Sequence, residues 1–512
     1  MSNYPKSLTS KIKKVEELQQ IINKTKNNKK IVLCHGTFDI VHPGHIRHLM
    51  YAKEKGDILI ASLTADKFIT KKKDGPFIPE ELRARNLAAL EIVDYVVIDY
   101  NEKPIENLLV LKPDYFLKGF EYSRDGIHPK TKKEIEVVSS YGGEVIFSPG
   151  DVVYSSTHFQ TIKKPDISLE KLISIMEAEN VTFDDIKKTF ALFSGTKVHV
   201  IGDTIVDKYS YCSILGPTTK TPTFSVKYNS TDTFVGGAGV VAKHLKSMGA
   251  DVTFTTVLGN DKLKKYVVGD LKEWGINVNA MVDESRPTTL KERFWAEGYK
   301  LLQVDTVDSS IVNDGIIRKM SESLAENEVD VVVFSDFRHG IFNKESVKIY
   351  SDSISAKSIK VADSQVSNRW GNILDFQNFD IIIPNEKEAR FALADQDSGI
   401  RPLGTRLYDR ANSDYLVLKL GERGIMIFRG SSNPRDFFII ESFVENLIDG
   451  LGAGDAMLAA ASLAYANSKN ILISSILGNV AAAIACEVEG NIPVSPEKVQ
   501  SKINLLKEKS FV

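Results

Sequence analysis

The sequence predicts an α/β protein of two parallel-sheet domains joined by a helical connector. Three observations carry this. The chain has 512 residues, above the roughly 100–200 of one ordinary domain. Short apolar, β-rich runs alternate with helical patterns twice, from Lys30 to Pro149 and again from Lys197 onward. Between them lies a stretch of charged amphipathic pattern without a strand of its own. The expected boundaries are 1–162, 163–195 and 196–512.

In the first domain the predicted strands are Ile31–Cys34, Asp57–Ile60, Tyr95–Ile98, Tyr115–Leu117 and Glu144–Phe147. Helical patterns separate them near 44–55, 79–92, 104–111 and 130–141. Strands that read as near-continuous apolar runs between helices belong to a parallel sheet covered on both faces. The connector carries two amphipathic stretches, Leu169–Glu179 and Phe183–Phe193, and Thr182 with Asp185 offers a capping-box start to the second. The second domain opens on Lys197–Ile201, with further strands at 252–258, 330–335, 358–363, 379–384 and 414–419. The longest apolar stretch, Ile471–Cys486, contains Ser474, Ser475 and Asn479; it is too short for a membrane span and reads as a buried helix.

A net charge of −2, with 43% hydrophobic and 26% charged residues, gives no global field for nucleic acid or anionic membrane, so neither partner is expected. Met1–Lys14 is polar and basic without an apolar core, unlike a secretory signal. Cys34, Cys212 and Cys486 lie far apart and show no Cys-x-x-Cys spacing, as for reduced thiols in a cytoplasmic protein.

The run His35-Gly36-Thr37-Phe38-Asp39-Ile40-Val41-His42-Pro43-Gly44-His45 follows a strand and opens a helix. Helix N-terminal amides face an anion at such a turn. Gly36 and Gly44 allow close backbone approach, and His42 and His45 can stabilise charge developing on one triphosphate. These residues resemble the His-x-Gly-His nucleotidyltransferase superfamily, in its cytidylyl- and adenylyltransferase branch. The resemblance covers about 28–162 and implies a Rossmann-like domain. It further implies phosphate contacts from Lys71, Arg83, Lys118 and the Ser155-Ser156-Thr157 segment, with Gly36, Thr37 and Phe38 in the nucleotide loop. The implied reaction is attack of a sugar- or alcohol-phosphate oxygen on the nucleotide α-phosphorus with loss of pyrophosphate, using ATP or CTP and Mg²⁺.

Asp449-Gly450-Leu451-Gly452-Ala453-Gly454-Asp455 stands ahead of an apolar helix. Amides of Gly452, Ala453 and Gly454 can form an anion hole, and Asp455 is placed to take a hydroxyl proton. Over about 195–505 the chain resembles the ribokinase-like sugar kinases, which implies an α/β/α domain with a small β lid near 209–229. The motifs are the strand delivering Asp203 and Asp207, the glycine pair Gly236-Gly237, Ser335–Gly340, Asn385 with Glu388, and Gly421 to Gly424. The resemblance implies that Asp203, Asp207, Gly236 and Gly237 meet the sugar. It places Asn385 and Glu388 on Mg²⁺ and phosphates, directly or through water, and Gly421 and Gly424 on the nucleotide.

Within that family the chain is similar to the bifunctional ADP-heptose synthases, through Arg286–Lys291, the acidic strand end at Asp305, and Lys118-Gly119-Phe120-Glu121-Tyr122. Lys291 is then a substrate-side residue. The implied activities are ATP-dependent phosphorylation of a heptose-phosphate-like sugar and nucleotidyl transfer to a sugar 1-phosphate. A transferase making a CDP-polyol or CDP-sugar beside a matching kinase is the alternative, and an active transferase with a non-catalytic kinase-like module another. The order departs from the family, whose kinase comes first. Val240 stands where an asparagine usually contacts the sugar, Thr218–Pro222 lacks the family's arginine and glutamate, and Gly450 replaces a threonine. The expected partners are sugar phosphates, nucleotides and a further copy of the chain, as homodimer or higher oligomer.

Overall fold

The structure, a computed structural model, describes residues 9–25, 29–69, 76–119, 129–148, 168–217, 223–326, 328–366, 371–430 and 436–509. Its contacts divide the chain into two units, Met1–Glu177 and Ala178–Val512.

In the first unit β1 (Ile31–Gly36), β2 (Ile58–Thr64), β3 (Tyr95–Asp99), β4 (Tyr115–Lys118) and β5 (Glu144–Phe147) form one sheet in the order β3-β2-β1-β4-β5. Every pairing is parallel. Side chains alternate across a strand, and here both faces are covered. Val32, Cys34, Leu59, Ala61 and Leu63 enter one core with Leu49, Ala52, Ala84 and Leu87 of the helices Pro43–Lys55 and Glu80–Ala88. Ile31, Leu33, Ile58 and Ile60 enter the other with Leu108 and Leu111 of the helix Ile105–Leu111. Leu18 and Ile22 of a helix at Val15–Thr25 complete that second core. No element was expected at this helix; its apolar face is only two turns long. Each such side chain contributes about 1.5–3 kcal/mol on burial. The strand order makes the ends of β1 and β4 a topological switch point, where α/β sheets bind ligands.

The second unit is built on nine strands: β6 (Lys197–Gly202), β9 (Asp251–Gly259), β10 (Asn277–Asp283), β13 (Val331–Asp336), β14 (Ile359–Ser364), β15 (Ile381–Ile382), β16 (Tyr415–Lys419), β17 (Ile425–Arg429) and β18 (Phe437–Ile440). They run in the order β10-β9-β6-β13-β14-β15-β16-β17-β18, parallel except at β16–β17–β18. Phe334, Phe376 and Phe379 interlock edge-on in its core, with Phe342 tilted against Phe334 and Phe376. β15 is shorter than the predicted 379–384, since Pro384 has no N–H to give a ladder. A separate sheet of β7 (Thr204–Pro217), β8 (Phe224–Gly237), β11 (Leu290–Ala296) and β12 (Tyr299–Thr306) forms the lid, in the order β12-β11-β7-β8.

The apolar stretch Ile471–Cys486 is one helix, buried throughout except at Cys486. Its Ser474 Oγ donates to the Ala461 carbonyl at 2.8 Å, satisfying a polar group in the core. No described helix is long and apolar enough to cross a membrane. The second connector stretch forms the helix Phe183–Ala191, with the reciprocal Thr182–Asp185 capping box in place.

Candidate functional site

In the first unit His42 caps the helix Pro43–Lys55, and its Nδ1 accepts from the Gly44 amide at 3.1 Å. A nitrogen that accepts carries no proton, so Nε2 is the protonated, donating one. His45 stacks on His42 with ring centroids 3.9 Å apart, and Phe38 leans on His45 at 5.2 Å. Phe38 holds a left-handed backbone, φ 48°, unusual without glycine. Burial lowers the pKa of His42. Burial and then the His42 neighbour bring His45 down to about 4. Two stacked imidazoles whose protonation burial disfavours thus stand at the start of the helix that follows β1.

Arg83 was expected to meet phosphate. It is fully buried and its guanidinium is used internally. Nε donates to the Ile78 carbonyl at 2.9 Å, Nη1 to the Thr37 carbonyl, and Nη2 to the Thr64 carbonyl and Asp66. Arg83 thus ties the motif loop to the end of β2 and to the lead-in of its own helix. Asp39 adds a second tie, accepting from the Ile78 amide at 2.8 Å. Lys118, at the end of β4, is nearly buried and paired with Glu134. His35 bonds Ser62 Oγ at 2.9 Å and Thr64 Oγ1 at 3.1 Å. Lys71, Phe120–Tyr122 and Ser155-Ser156-Thr157 lie outside the described residues.

In the second unit Gly452 caps the helix Ala453–Ser468 with φ 77°, and a Cβ there would fall 2.2 Å from Asn491 Oδ1. Gly450 faces open space, so no glycine is required at it. Asp455 lies in the first turn of this helix. Burial, then Asp363, push its pKa up to about 7, with Asp207 and Glu388 adding and Lys419 opposing. Asn385 and Glu388 close on each other in a capping box: Asn385 Nδ2 donates to Oε1, and its backbone amide to Oε2, each at 2.6 Å. Burial raises Glu388 to about 7, against the pull of Lys419. Gly421 and Gly424 turn with φ 62° and 82°; a Cβ at Gly424 would meet the Ile440 carbonyl at 2.1 Å.

On the sugar side, Asp203 is buried, and its Oδ2 accepts from the amides of Phe337 at 2.9 Å and His339 at 3.2 Å. One of its oxygens is thus committed to backbone. The register sets Asp207, Lys291 and Asp305 side by side across β7, β11 and β12. Arg293 Nη1 donates to Asp207 at 2.5 Å, and Lys291 lies 3.7 Å from Asp305. The paired glycines make room for these acids: a Cβ at Gly236 would stand 2.2 Å from Asp207 Oδ2, and one at Gly237 2.5 Å from the Asp203 carbonyl. Val240 is fully buried. Thr218–Pro222 lies outside the described residues.

Sequence reasoning missed Asp363 and Lys419, which end β14 and β16 and bond at 2.6 Å beneath the Gly452–Gly454 turn. A charge closing an apolar strand reads as an ordinary boundary; only the strand order brings the two together.

Residues 195–498 match the family model described as pfkB family carbohydrate kinase. The chain belongs to the pfkB family. Ahead of this region, residues 33–168 match the cytidylyltransferase-like family, so the transferase-type fold precedes the kinase fold. Among curated relatives, the bifunctional protein HldE of Desulfatibacillum aliphaticivorans is 25% identical over 338 residues, 64% of this chain and 66% of that protein. HldE of Helicobacter hepaticus is 29% identical over 318 residues, 60% of this chain and 64% of that protein. The matches thus span slightly less than two thirds of those relatives. In the pfkB half, the ribokinase of Giardia lamblia superposes with TM-score 0.50 at 17% identity, covering 61% of this chain and 99% of that one. A variant of Escherichia coli phosphofructokinase-2 gives 0.51 at 16%, with the same coverage. These two likenesses concern fold alone.

Proposed function

We propose that the chain is a bifunctional enzyme of ADP-heptose synthase type. Its pfkB half phosphorylates a heptose-phosphate-like sugar with ATP, and its first half transfers a nucleotidyl group to a sugar 1-phosphate. The observation that carries the kinase is Asp455: a part-buried carboxylate with pKa pushed up to about 7 at the first turn of a helix whose N-terminal amides can form an anion hole. A base tuned to the working pH is the one general-base catalysis needs. The sugar hydroxyl attacks the γ-phosphorus, its proton passes to Asp455, and ADP leaves. Asp207 and Lys291 hold the acceptor, while Gly421 and Gly424 shape the nucleotide turn.

Carboxylate-rich surroundings suit a hard divalent cation, and the raised pKa values of Glu388 and Asp455 mark a site short of positive charge. Mg²⁺ carried by the nucleotide would neutralise phosphate charge there, with Glu388, oriented by Asn385, facing it through water. No grouping of three His, Cys, Asp or Glu among the described residues has metal-holding geometry, which fits outer contact rather than a protein cage.

In the transferase, His42 and His45 donate to phosphate oxygens as the acceptor's phosphate attacks the α-phosphorus and pyrophosphate leaves. The further phosphate contacts are assigned to Lys71 and Ser155–Thr157 on the family resemblance alone. ATP is the nucleotide by analogy with the HldE relatives. The cytidylyltransferase-like match is the observation that keeps CTP, and a CDP-sugar or CDP-polyol product, as the second reading.

The lid supports a homodimer. Phe294 and Leu302 pair on the face opposite Lys291 and Arg293, where Leu302 and Val304 are exposed, as are Leu215, Tyr228 and Tyr299 elsewhere on the lid. Leu302→Glu should halve the mass seen by light scattering.

³¹P NMR of the purified chain with ATP, CTP and a panel of heptose and pentose phosphates tests the whole reading. It is overturned if neither nucleotide yields ADP with a sugar or pyrophosphate with a sugar 1-phosphate.

A further inference from the structure

The cluster that sequence reasoning missed deepens the kinase reading and rests on it. Lys419 closes β16, where its backbone amide donates to the Pro384 carbonyl at 2.8 Å and it bridges to Asn385. Its Cα is thereby fixed beside the Asn385–Glu388 cap. The side chain, 15% exposed, reaches beneath the start of the helix Ala453–Ser468: a Cβ built on Gly454 would lie 3.5 Å from Lys419 Nζ. Asp363 Oδ2 accepts from that ammonium at 2.6 Å. Asp363 Oδ1 is buried without a hydrogen-bond partner.

We propose that Lys419 is a further catalytic residue of the kinase, its ammonium binding the oxygens of the phosphoryl group in transit, and that Asp363 is its positioning residue. The argument is one of charge and place. Three carboxylates, Asp363, Glu388 and Asp455, surround one ammonium, so the cluster is net negative where a polyanionic nucleotide must enter. A buried ion pair gives little net stability, and a cation held solely to neutralise Asp363 has no reason to lie under the anion hole. An ammonium has three N–H donors, of which Asp363 takes one. Asp363 and Glu388 outweigh burial and hold the Lys419 pKa above the ordinary lysine value, so the charge is present throughout the working range.

In the transfer the hydroxyl oxygen bonds to the γ-phosphorus. The bond from that phosphorus to the β–γ bridging oxygen breaks with its electron pair on ADP, and the hydroxyl proton goes to Asp455. Lys419 neither gains nor loses a proton. It balances charge on the equatorial oxygens, where a preorganised cation is worth most.

The test uses the full chain with varied ATP, reading sugar-dependent ADP formation across heptose, pentose and polyol acceptors, with pyrophosphate release and thermal unfolding as folding controls. Lys419→Met should lower kcat by about 10²–10³-fold while the KM for ATP changes far less, and Lys419→Arg should recover part of the loss. Lys419→Met alone leaves carboxylates unbalanced and can unfold, so the double variant Asp363→Asn/Lys419→Met removes both charges together. It should regain thermal stability and stay slow. Recovery of kcat along with stability in the double variant would show a purely structural ion pair and overturn the assignment, as would Lys419→Met activity within about twofold of wild type. A wild-type chain that forms no ADP with any acceptor would overturn the kinase reading, and this assignment with it.

Discussion

At the end of β1 the side chains proposed to face phosphate are two stacked imidazoles whose protonation burial disfavours; near the start of the helix Ala453–Ser468 they are three carboxylates around one ammonium. Both places use the same backbone device, a strand-to-helix turn with amides open to an anion. On the proposed function, the side-chain chemistry differs because the tasks differ. Transfer at the α-phosphorus needs charge stabilised on groups already attached, and a neutral donor such as His42 Nε2–H supplies it without a standing cation. Phosphorylation of a hydroxyl also needs a proton acceptor, so the second site keeps a carboxylate and accepts the electrostatic cost of crowding it with others.

The most direct way to break this comparison is to disable each site alone. Asp455→Asn should cut sugar-dependent ATP turnover by about 10³-fold and leave pyrophosphate release untouched. His45→Ala should cut pyrophosphate release by about 10²-fold and spare the kinase. Either variant slowing both reactions to a similar degree would mean the two sites are not separate in function. A structural counterpart is Arg83→Met. It strands three carbonyls and Asp66, and should destabilise the first unit by about 3 kcal/mol in a urea titration. Were it to abolish pyrophosphate release with no loss of stability, Arg83 would be a phosphate ligand after all.

How much of this was legible before folding depends on the range of the interaction. The strands of the first unit and the buried helix Ile471–Cys486 follow from local apolar runs, and the Thr182–Asp185 box from a spacing of three. The anion-hole glycines are readable too, since the φ of 77° at Gly452 demands the residue itself. Strands β10 and β11 were not legible, and β12 only as the acidic strand end at Asp305 that the resemblance implies. β12 is exposed along its whole length, so no core imprints a pattern on it, and β11 pairs with β7 across some eighty intervening residues. The internal bonds of Arg83 were not legible for a related reason: a cation near a phosphate motif gives no sign in sequence that the carbonyls of Thr37 and Thr64 converge on it. Lys419 was overlooked because its partner Asp363 lies two strands away in sequence order.

The smallest expected effect is the most specific to the contrast. His45 is held near 4 in the fold against about 6.5 unfolded, and His48 is likewise lowered to about 4 by burial. The unfolded chain therefore binds more protons than the folded one between those values. The contribution of these two histidines to the first unit is complete above about pH 6.5 and is lost as pH falls toward 4. Asp455 has the opposite sign. Its folded pKa of about 7 lies above the unfolded carboxylate near 3.9, so its contribution is whole below about pH 4 and is lost as pH rises through 7. Each should be on the order of 1–2 kcal/mol after allowing for solvent screening. Unfolding midpoints followed from pH 4 to 8 add these to groups of the other sign, Asp66 and Asp99 raised to about 6 in the first unit and His199 and His244 lowered to about 4 in the second, so single variants isolate each contribution. Asp455→Asn should flatten the upward-pH loss in the second unit only, and His48→Gln should weaken the acid loss in the first only. If Asp455→Asn leaves the second unit's pH profile unchanged, that carboxylate is already ionised in the resting fold, and the tuning that makes it a base at neutral pH is absent.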